Sequence, residues 1–153
     1  MKHLLIWTFV LFLSSCHIKA DESSVENIKN ETKNTIVQLT NEQRVEHGLK
    51  PLQWAEDASI AAQAKSDDMA KNQYFAHESP VYGDFVGLLE AYEVEYHLAA
   101  ENLAVGQKTP EDAVIGWMNS KGHRENILHE EMTHIGVGYD EEGKYWTQIL
   151  LKK

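Results

Sequence analysis

The chain contains a single cysteine, Cys16, so no disulfide can staple it from within. A packed core has to hold the fold instead. The composition allows one: 42% of the 153 residues are hydrophobic, enough for a core and too many for a disordered chain. The length suits one domain with a short tail. Charge is lopsided, with 24 acidic against 14 basic side chains and a net charge of −10. Two of the basic residues, Lys2 and Lys19, fall in the first twenty positions, which leaves 24 acidic against 12 basic in 21–153. That balance argues against nucleic acid as a partner, since affinity there comes mainly from Lys and Arg on phosphates. It argues equally against electrostatic adhesion to anionic lipid headgroups.

The position of Cys16 matters more than its being alone. Met1-Lys2-His3 is a short positive head, and Leu4 to Leu13 is apolar throughout except for Thr8. Ten residues make about 15 Å of helix, short of the ~30 Å hydrocarbon core. That length suits the apolar region of a signal peptide. Leu13-Ser14-Ser15-Cys16 follows and resembles the bacterial lipobox, in which the cysteine thiol is diacylated and becomes the new N-terminus. Two acyl chains give a stable anchor where one is marginal. The bland alternative is a signal peptide that happens to contain a cysteine. The lipoprotein reading is preferred because the chain's one cysteine stands where that reading needs it. The expectation is therefore a leader at 1–15, a lipid on Cys16, and an extracytoplasmic protein anchored to the bacterial cell membrane.

Residues 16–33 read as a polar spacer, partly helical near its end, and 34–153 as one domain. No repeat or Pro/Gly-rich linker divides that domain. Helices are expected over Thr35–His47, stopped by Gly48 and Pro51, and over Glu56–Asn72. In the second, Ala58, Ala61, Ala62, Lys65 and Met69 share a face, and only Lys65 breaks the stripe. So many alanines imply close approach to a neighbouring element. A shorter helix is expected over Asp84–Tyr92. Another should begin with Thr109 as N-cap, Pro110 at N1, and Glu111 and Asp112 at the positive end of the dipole. A last helical turn falls at Arg124–Leu128. Asn102–Val105 reads as a strand. His134–Tyr139 and Lys144–Leu151 flank a turn ending in Gly143 and read as a hairpin. The order predicts an α/β fold, a small sheet flanked by helices.

Several enzyme signatures can be set aside. His129-Glu130-Glu131-Met132-Thr133-His134 looks like a zinc-protease motif, but that motif needs its histidines four apart on a helix. Here they are five apart, roughly 140° of helical rotation, and His134 opens a strand. There is no Gly-x-Ser-x-Gly elbow and no Gly-rich phosphate loop. Cys16 is committed to the anchor and leaves no thiol nucleophile.

Local phrases remain. They are Phe75-Ala76-His77-Glu78-Ser79-Pro80, Ala100-Glu101-Asn102-Leu103-Ala104, Gly122-His123-Arg124-Glu125-Asn126-Ile127-Leu128, Ile135-Gly136-Val137-Gly138-Tyr139 and Tyr145-Trp146-Thr147-Gln148. Each is weak alone. In this order and at these separations they resemble the CAP superfamily, or SCP domain, and its bacterial branch in particular, from about Ile36 to the C-terminus. The resemblance implies a three-layer α-β-α sandwich with a surface cleft, often lined in that family by two histidines and two glutamates. The histidines would fall on His77 and His123, and one glutamate on Glu101. The fourth position, three residues after Trp117, holds Ser120, so the tetrad is incomplete.

Two imidazoles and a carboxylate converging in a cleft can bind a divalent cation such as Zn²⁺ and leave positions open for water. They can equally form a hydrogen-bonded network that fixes loops. The expected function is a binding module whose His77/Glu101/His123 cleft takes a cell-envelope component, a lipid or a protein partner. The alternative is a metal-dependent, peptidase-like hydrolase, with His77 and His123 as metal ligands and Glu101 as base or orienting group.

Overall fold

The computed structural model describes residues 16–153; the leader at 1–15 and the Cys16 thiol lie outside what it describes. In chain order the elements are α1 (Cys16–Glu46), β1 (Gln53–Trp54), α2 (Glu56–Asn72), α3 (Phe85–Ala91), β2 (Leu98–Val105), α4 (Pro110–Asn119), α5 (Lys121–Ile127), β3 (His134–Asp140) and β4 (Tyr145–Lys152). The strands form one sheet in the order β1-β3-β4-β2. β3 and β4 are the expected hairpin, antiparallel from His134↔Leu151 to Asp140↔Tyr145. β2 lies antiparallel along β4, and β1 runs parallel to β3.

Alternation along β4 makes the three layers. Trp146, Gln148 and Leu150 leave one face and Thr147, Ile149 and Leu151 the other. Trp146 and Leu150 join a core with Ile36 of α1, Val114 and Trp117 of α4, and Ile127 of α5. Ile149 and Leu151 join a second core with Ala58, Ala61 and Ala62 of α2 and Leu88 and Leu89 of α3. The polar residues between them obey the same alternation. Gln148 donates to Thr40 Oγ1 of α1 at 2.9 Å, and Thr147 Oγ1 accepts from Ser66 of α2 at 2.9 Å. Trp117 and Trp146 are core residues, at 1% and 0% exposure.

The alanines of α2 meet glycines. β3 presents Ile135, Val137 and Tyr139 to the first core and Gly136 and Gly138 to α2. A Cβ on Gly136 would stand 2.3 Å from the Ala58 carbonyl carbon, and one on Gly138 would stand 2.1 Å from the Ala62 carbonyl oxygen. Backbone therefore rests on backbone. Ser59 Oγ donates to the Val137 carbonyl at 2.8 Å. Gln63 clasps Tyr139 through both backbone groups, donating to its carbonyl at 3.0 Å and accepting from its N–H at 3.2 Å.

Most elements lie where the pattern placed them, and three differ. α1 begins at Cys16 rather than Thr35, so the polar spacer is helical. No Gly or Pro interrupts 17–46, and a helix without an apolar stripe gives no periodic signal. β2 begins at Leu98 rather than Asn102. β1, two residues long, carries no pattern at all. The N-cap read from the sequence is present, Thr109 accepting from Asp112 N at 3.1 Å, and α3 is capped likewise, with Asp84 accepting from Gly87 N at 2.9 Å. The place of Trp54 just before the alanine helix predicts that it packs on α2; it is 40% exposed and donates instead to Glu56 Oε2 at 2.7 Å. Arg124 and Glu125, adjacent in sequence, suggest an ion pair, but Glu125 pairs with Lys121 at 2.5 Å and Arg124 donates to the Met118 carbonyl at 2.9 Å.

Arg44 is buried at 1% exposure. It donates to the carbonyls of Lys50, Ile127, His129 and Met132, at 2.7 to 3.1 Å. One guanidinium thereby ties α1 to the turn that leads from α5 into β3. Its planar fork suits that work better than an ammonium would.

Gly138→Ala should destabilise the fold by about 3 kcal/mol or prevent folding, because the added methyl has backbone rather than a flexible side chain to displace. Urea unfolding of the parent and variant measures the difference. A loss under about 0.5 kcal/mol, the range of an indifferent surface change, would contradict the backbone contact.

Candidate functional site

β2 is an edge strand, and on it Glu101 and Asn102 leave opposite faces. Glu101 turns toward α2 and the loop that follows it. Its Oε2 lies 2.6 Å from Nδ1 of His77. The Glu101 side chain is 2% exposed and that of His77 is 61% exposed, so a buried carboxylate holds an imidazole that faces solvent. The other carboxylate oxygen, Oε1, is buried with no hydrogen-bond partner among the described residues.

Asn102 turns toward α5, which carries His123. Its amide donates to the His123 carbonyl at 3.2 Å and to Gln148 Oε1 at 2.9 Å, and its oxygen accepts from Asn126 at 2.9 Å. Gln148 continues the chain to Thr40. This buried relay fixes the backbone of α5 at His123. Adjacent residues of one strand thus position the two histidines, Glu101 by grasping a side chain and Asn102 by holding a carbonyl.

The electrostatics connect them. The hydrogen bond from Glu101 raises the His77 pKa, with burial opposing it. His123 is shifted the other way, first by burial and then by the charge on His77. The two imidazoles are therefore near enough that a proton on one disfavours a proton on the other. The structure pairs His77 with Glu101 and ties His123 to the next residue of β2 through its carbonyl, held by Asn102. Ser120, at the fourth position, joins α4 to α5 and makes no side-chain capping bond to the α5 backbone.

Sequence reading missed the support beneath His77. Lys65, which breaks the alanine stripe, is buried at 1% exposure. Its ammonium donates to the His77 carbonyl at 3.0 Å and to the Tyr74 hydroxyl at 3.1 Å. Burial lowers its pKa, and the nearby charges of Glu101 and Asp68 oppose that shift. Asp68 accepts from Tyr74, from Ser79 at 2.7 Å, and from Asn72 at 2.6 Å. Burial pushes the Asp68 carboxyl upward, but these hydrogen bonds outweigh it and leave its pKa below the ordinary value. The one available signal was a lysine at a position where an alanine stripe called for a small apolar residue.

Among the described residues, no three His, Cys, Asp or Glu side chains are grouped to hold a metal ion. What the site offers a cation is two imidazoles. Glu101 stands behind one of them on Nδ1, the position that carboxylates occupy behind metal-bound histidines.

Residues 37–150 match the model of the cysteine-rich secretory protein family, CAP. The chain is 52% identical over 118 residues to the uncharacterized protein YkwD of Bacillus subtilis, covering 77% of this chain and 46% of that protein. It is 40% identical over 128 residues to the uncharacterized membrane protein YlbC of the same organism, covering 84% and 36%. A crystal structure of an extracellular protein containing an SCP domain, from Bacillus anthracis, superposes with a TM-score of 0.79 at 39% identity, over 84% of this chain and 42% of that one. The chain spans less than half the length of each of these relatives.

Glu101→Gln removes the charge that favours imidazolium at His77. Its titration midpoint, followed by NMR, should fall toward 6.5, and an unchanged midpoint would refute the pairing. The pH dependence of stability has a definite sign. Folding raises the His77 pKa, so that pairing contributes fully below about pH 6.5 and is lost as pH rises through the folded value. His123, lowered by folding, opposes it by disfavouring the folded state as pH falls below about 6.5.

Proposed function

We propose, from the premise that this chain belongs to the cysteine-rich secretory protein (CAP) family, that it is an extracytoplasmic binding domain. In this reading a lipid on Cys16 anchors it to the cell membrane. The cleft at His77, Glu101 and His123 engages a cell-envelope component, a lipid or a protein partner. One observation carries the reading: Glu101 is buried, yet it holds an imidazole that stays 61% exposed. The pairing contributes stability, but stability does not require the ring to stay exposed. Presenting that ring in a fixed orientation does.

The setting is supported by the relatives, one an extracellular protein and another a membrane protein. No described helix is long and apolar enough to cross a membrane. The acidic surface, −12 over 21–153, repels anionic headgroups. Acyl chains rather than charge would then hold the protein at the membrane.

A second reading, metal-dependent hydrolysis, is favoured by the contact of Glu101 with Nδ1, which leaves Nε2 of His77 unengaged. His77 and His123 would bind Zn²⁺ while Glu101 orients the ring. The ion would supply a polarised water.

Both readings are tested by following the His77 and His123 imidazole signals by NMR. Titrants are Zn²⁺, phospholipid vesicles and soluble envelope fragments. Selective, saturable shifts with vesicles or fragments support the binding module, provided that binding of the same titrant, measured by isothermal titration, is lost in a His77→Ala/His123→Ala double variant. No shift with any of them counts against it. Absence of Zn²⁺ uptake at micromolar concentration ends the hydrolase reading. For the anchor, Cys16→Ala should move the protein from the membrane to the soluble fraction. A fatty-acid label that persists in that variant would remove the lipid from Cys16.

A further inference from the structure

A second hollow, of about 430 Å³, lies along the outward face of α2. Its floor is Ile60, Gln63, Ala64, Asp67 and Lys71, spaced three and four apart and so sharing one helix face. From Ile60 to Lys71 the floor runs about 16 Å. Ala64 in the middle gives it depth. Val81 and Tyr82 of the loop after α2, with Tyr92 just beyond α3, form the wall. None of His77, Glu101 or His123 lines this hollow.

The wall is built in advance. Ser79 and Gly83 pair through both backbone groups, at 2.6 and 3.0 Å. Ser79 Oγ accepts from Val81 N and Tyr82 N, each at 2.9 Å, and donates to the buried Asp68. α3 presses on this turn: a Cβ on Gly87 would stand 2.3 Å from the Tyr82 carbonyl oxygen. The Tyr82 and Tyr92 hydroxyls share a hydrogen bond of 3.0 Å, with ring centroids 5.8 Å apart and planes 60° apart. A wall fixed in this way costs little ordering entropy when a ligand arrives.

The lining selects a chemistry. Ile60 and Val81 are 50% and 61% exposed and sit beside two tyrosine rings, so apolar and aromatic surface is on offer. Between them, Asp67 spends one carboxylate oxygen on Gln63 at 2.8 Å and leaves the other as an acceptor. Lys71 adds donors. A lipid tail would leave Asp67 and Lys71 desolvated and unpaired, which is costly. Asp68 also lines the hollow, but its oxygens are taken by Tyr74, Ser79 and Asn72. A cation would therefore meet one open carboxylate beside an ammonium, and an anion would meet two carboxylates against one ammonium. A neutral chain whose rings have C–H faces and whose edges carry hydroxyls matches every part: the faces lie on the tyrosines, and the hydroxyls donate to Asp67 and accept from Lys71. We propose that this groove binds a segment of carbohydrate chain. The inference goes beyond the cleft reading and does not depend on it.

Isothermal titration of the full-length protein in detergent with N-acetylchitotetraose, cellotetraose and mannotetraose tests it. Saturable binding with a Kd of about 1 mM or tighter is expected for at least one. Ala64→Leu fills the floor at a position where leucine also suits a helix, and should weaken binding about tenfold or more. Lys71→Ala, an exposed substitution, should weaken it several-fold, and His77→Ala should leave it unchanged. Circular dichroism confirms that each variant is folded. No saturable binding to any of the three sugars overturns the proposal, as does binding indifferent to both groove variants. Binding abolished by His77→Ala but not by Ala64→Leu would assign the sugar to the cleft and overturn the groove.

Discussion

Helix α2 rests on strand β3 with no side chains from the strand between them. Gly136 and Gly138 bring the strand to the backbone of Ala58 and Ala62, so closely that a methyl on either glycine would overlap main-chain atoms. That approach fixes the depth and the rotation of α2. Residues on its turns then have fixed heights above the sheet. Ser59, Gln63 and Ser66 reach the sheet with hydrogen bonds, and Lys65 and Asp68 reach the loop that carries His77. Had larger residues separated the two elements, Lys65 would lie a few ångströms farther from the sheet and from Glu101. The glycines and alanines thus set the site from a distance, through the helix they seat.

The polar interior follows from a domain without a disulfide in its described part. Arg44 gathers the carbonyl of Lys50 before β1 and those of Ile127, His129 and Met132 after α5. The relay from Thr40 through Gln148 and Asn102 to Asn126 joins α1, the sheet and α5. Each bond adds little net stability, but each buried group would be costly if left unpaired. Such relays favour one arrangement of the helices over looser ones. They fix the loops by geometry.

Much of this was legible in the sequence, and the rest was hidden for physical reasons. Capping chemistry is local, so Thr109-Pro110 announced its helix. Period-two alternation and the Gly143 turn announced the hairpin. The spacing of five short phrases pointed to His77, Glu101 and His123, of which the fold pairs the first two directly and ties the third to β2 through its carbonyl. The helix before Thr35 was not legible, because a polar solvated helix has no stripe to read. Lys65 and Arg44 were not legible either. Sequence marks a charged residue as probable surface, and only tertiary contacts reveal that a ring of acceptors waits for it. Trp54 failed in the other direction, since an aromatic ring need not be buried when its N–H finds a carboxylate at the surface.

The charges beneath the cleft form a coupled set. Lys65 is buried within electrostatic reach of both Glu101 and Asp68. Asp68 is satisfied by three donors, whereas Glu101 has one donor, His77, and one oxygen without any. His77 faces the Glu101 carboxylate, whose hydrogen bond first and charge second favour an imidazolium there. This accounts for the raised affinity of His77 for a proton, with Lys65 acting as a brake. His123 is shifted the other way, first by burial and then by the charge on His77. The two histidines therefore differ, one shifted toward holding a proton and the other toward releasing it, as two histidines in identical surroundings would not.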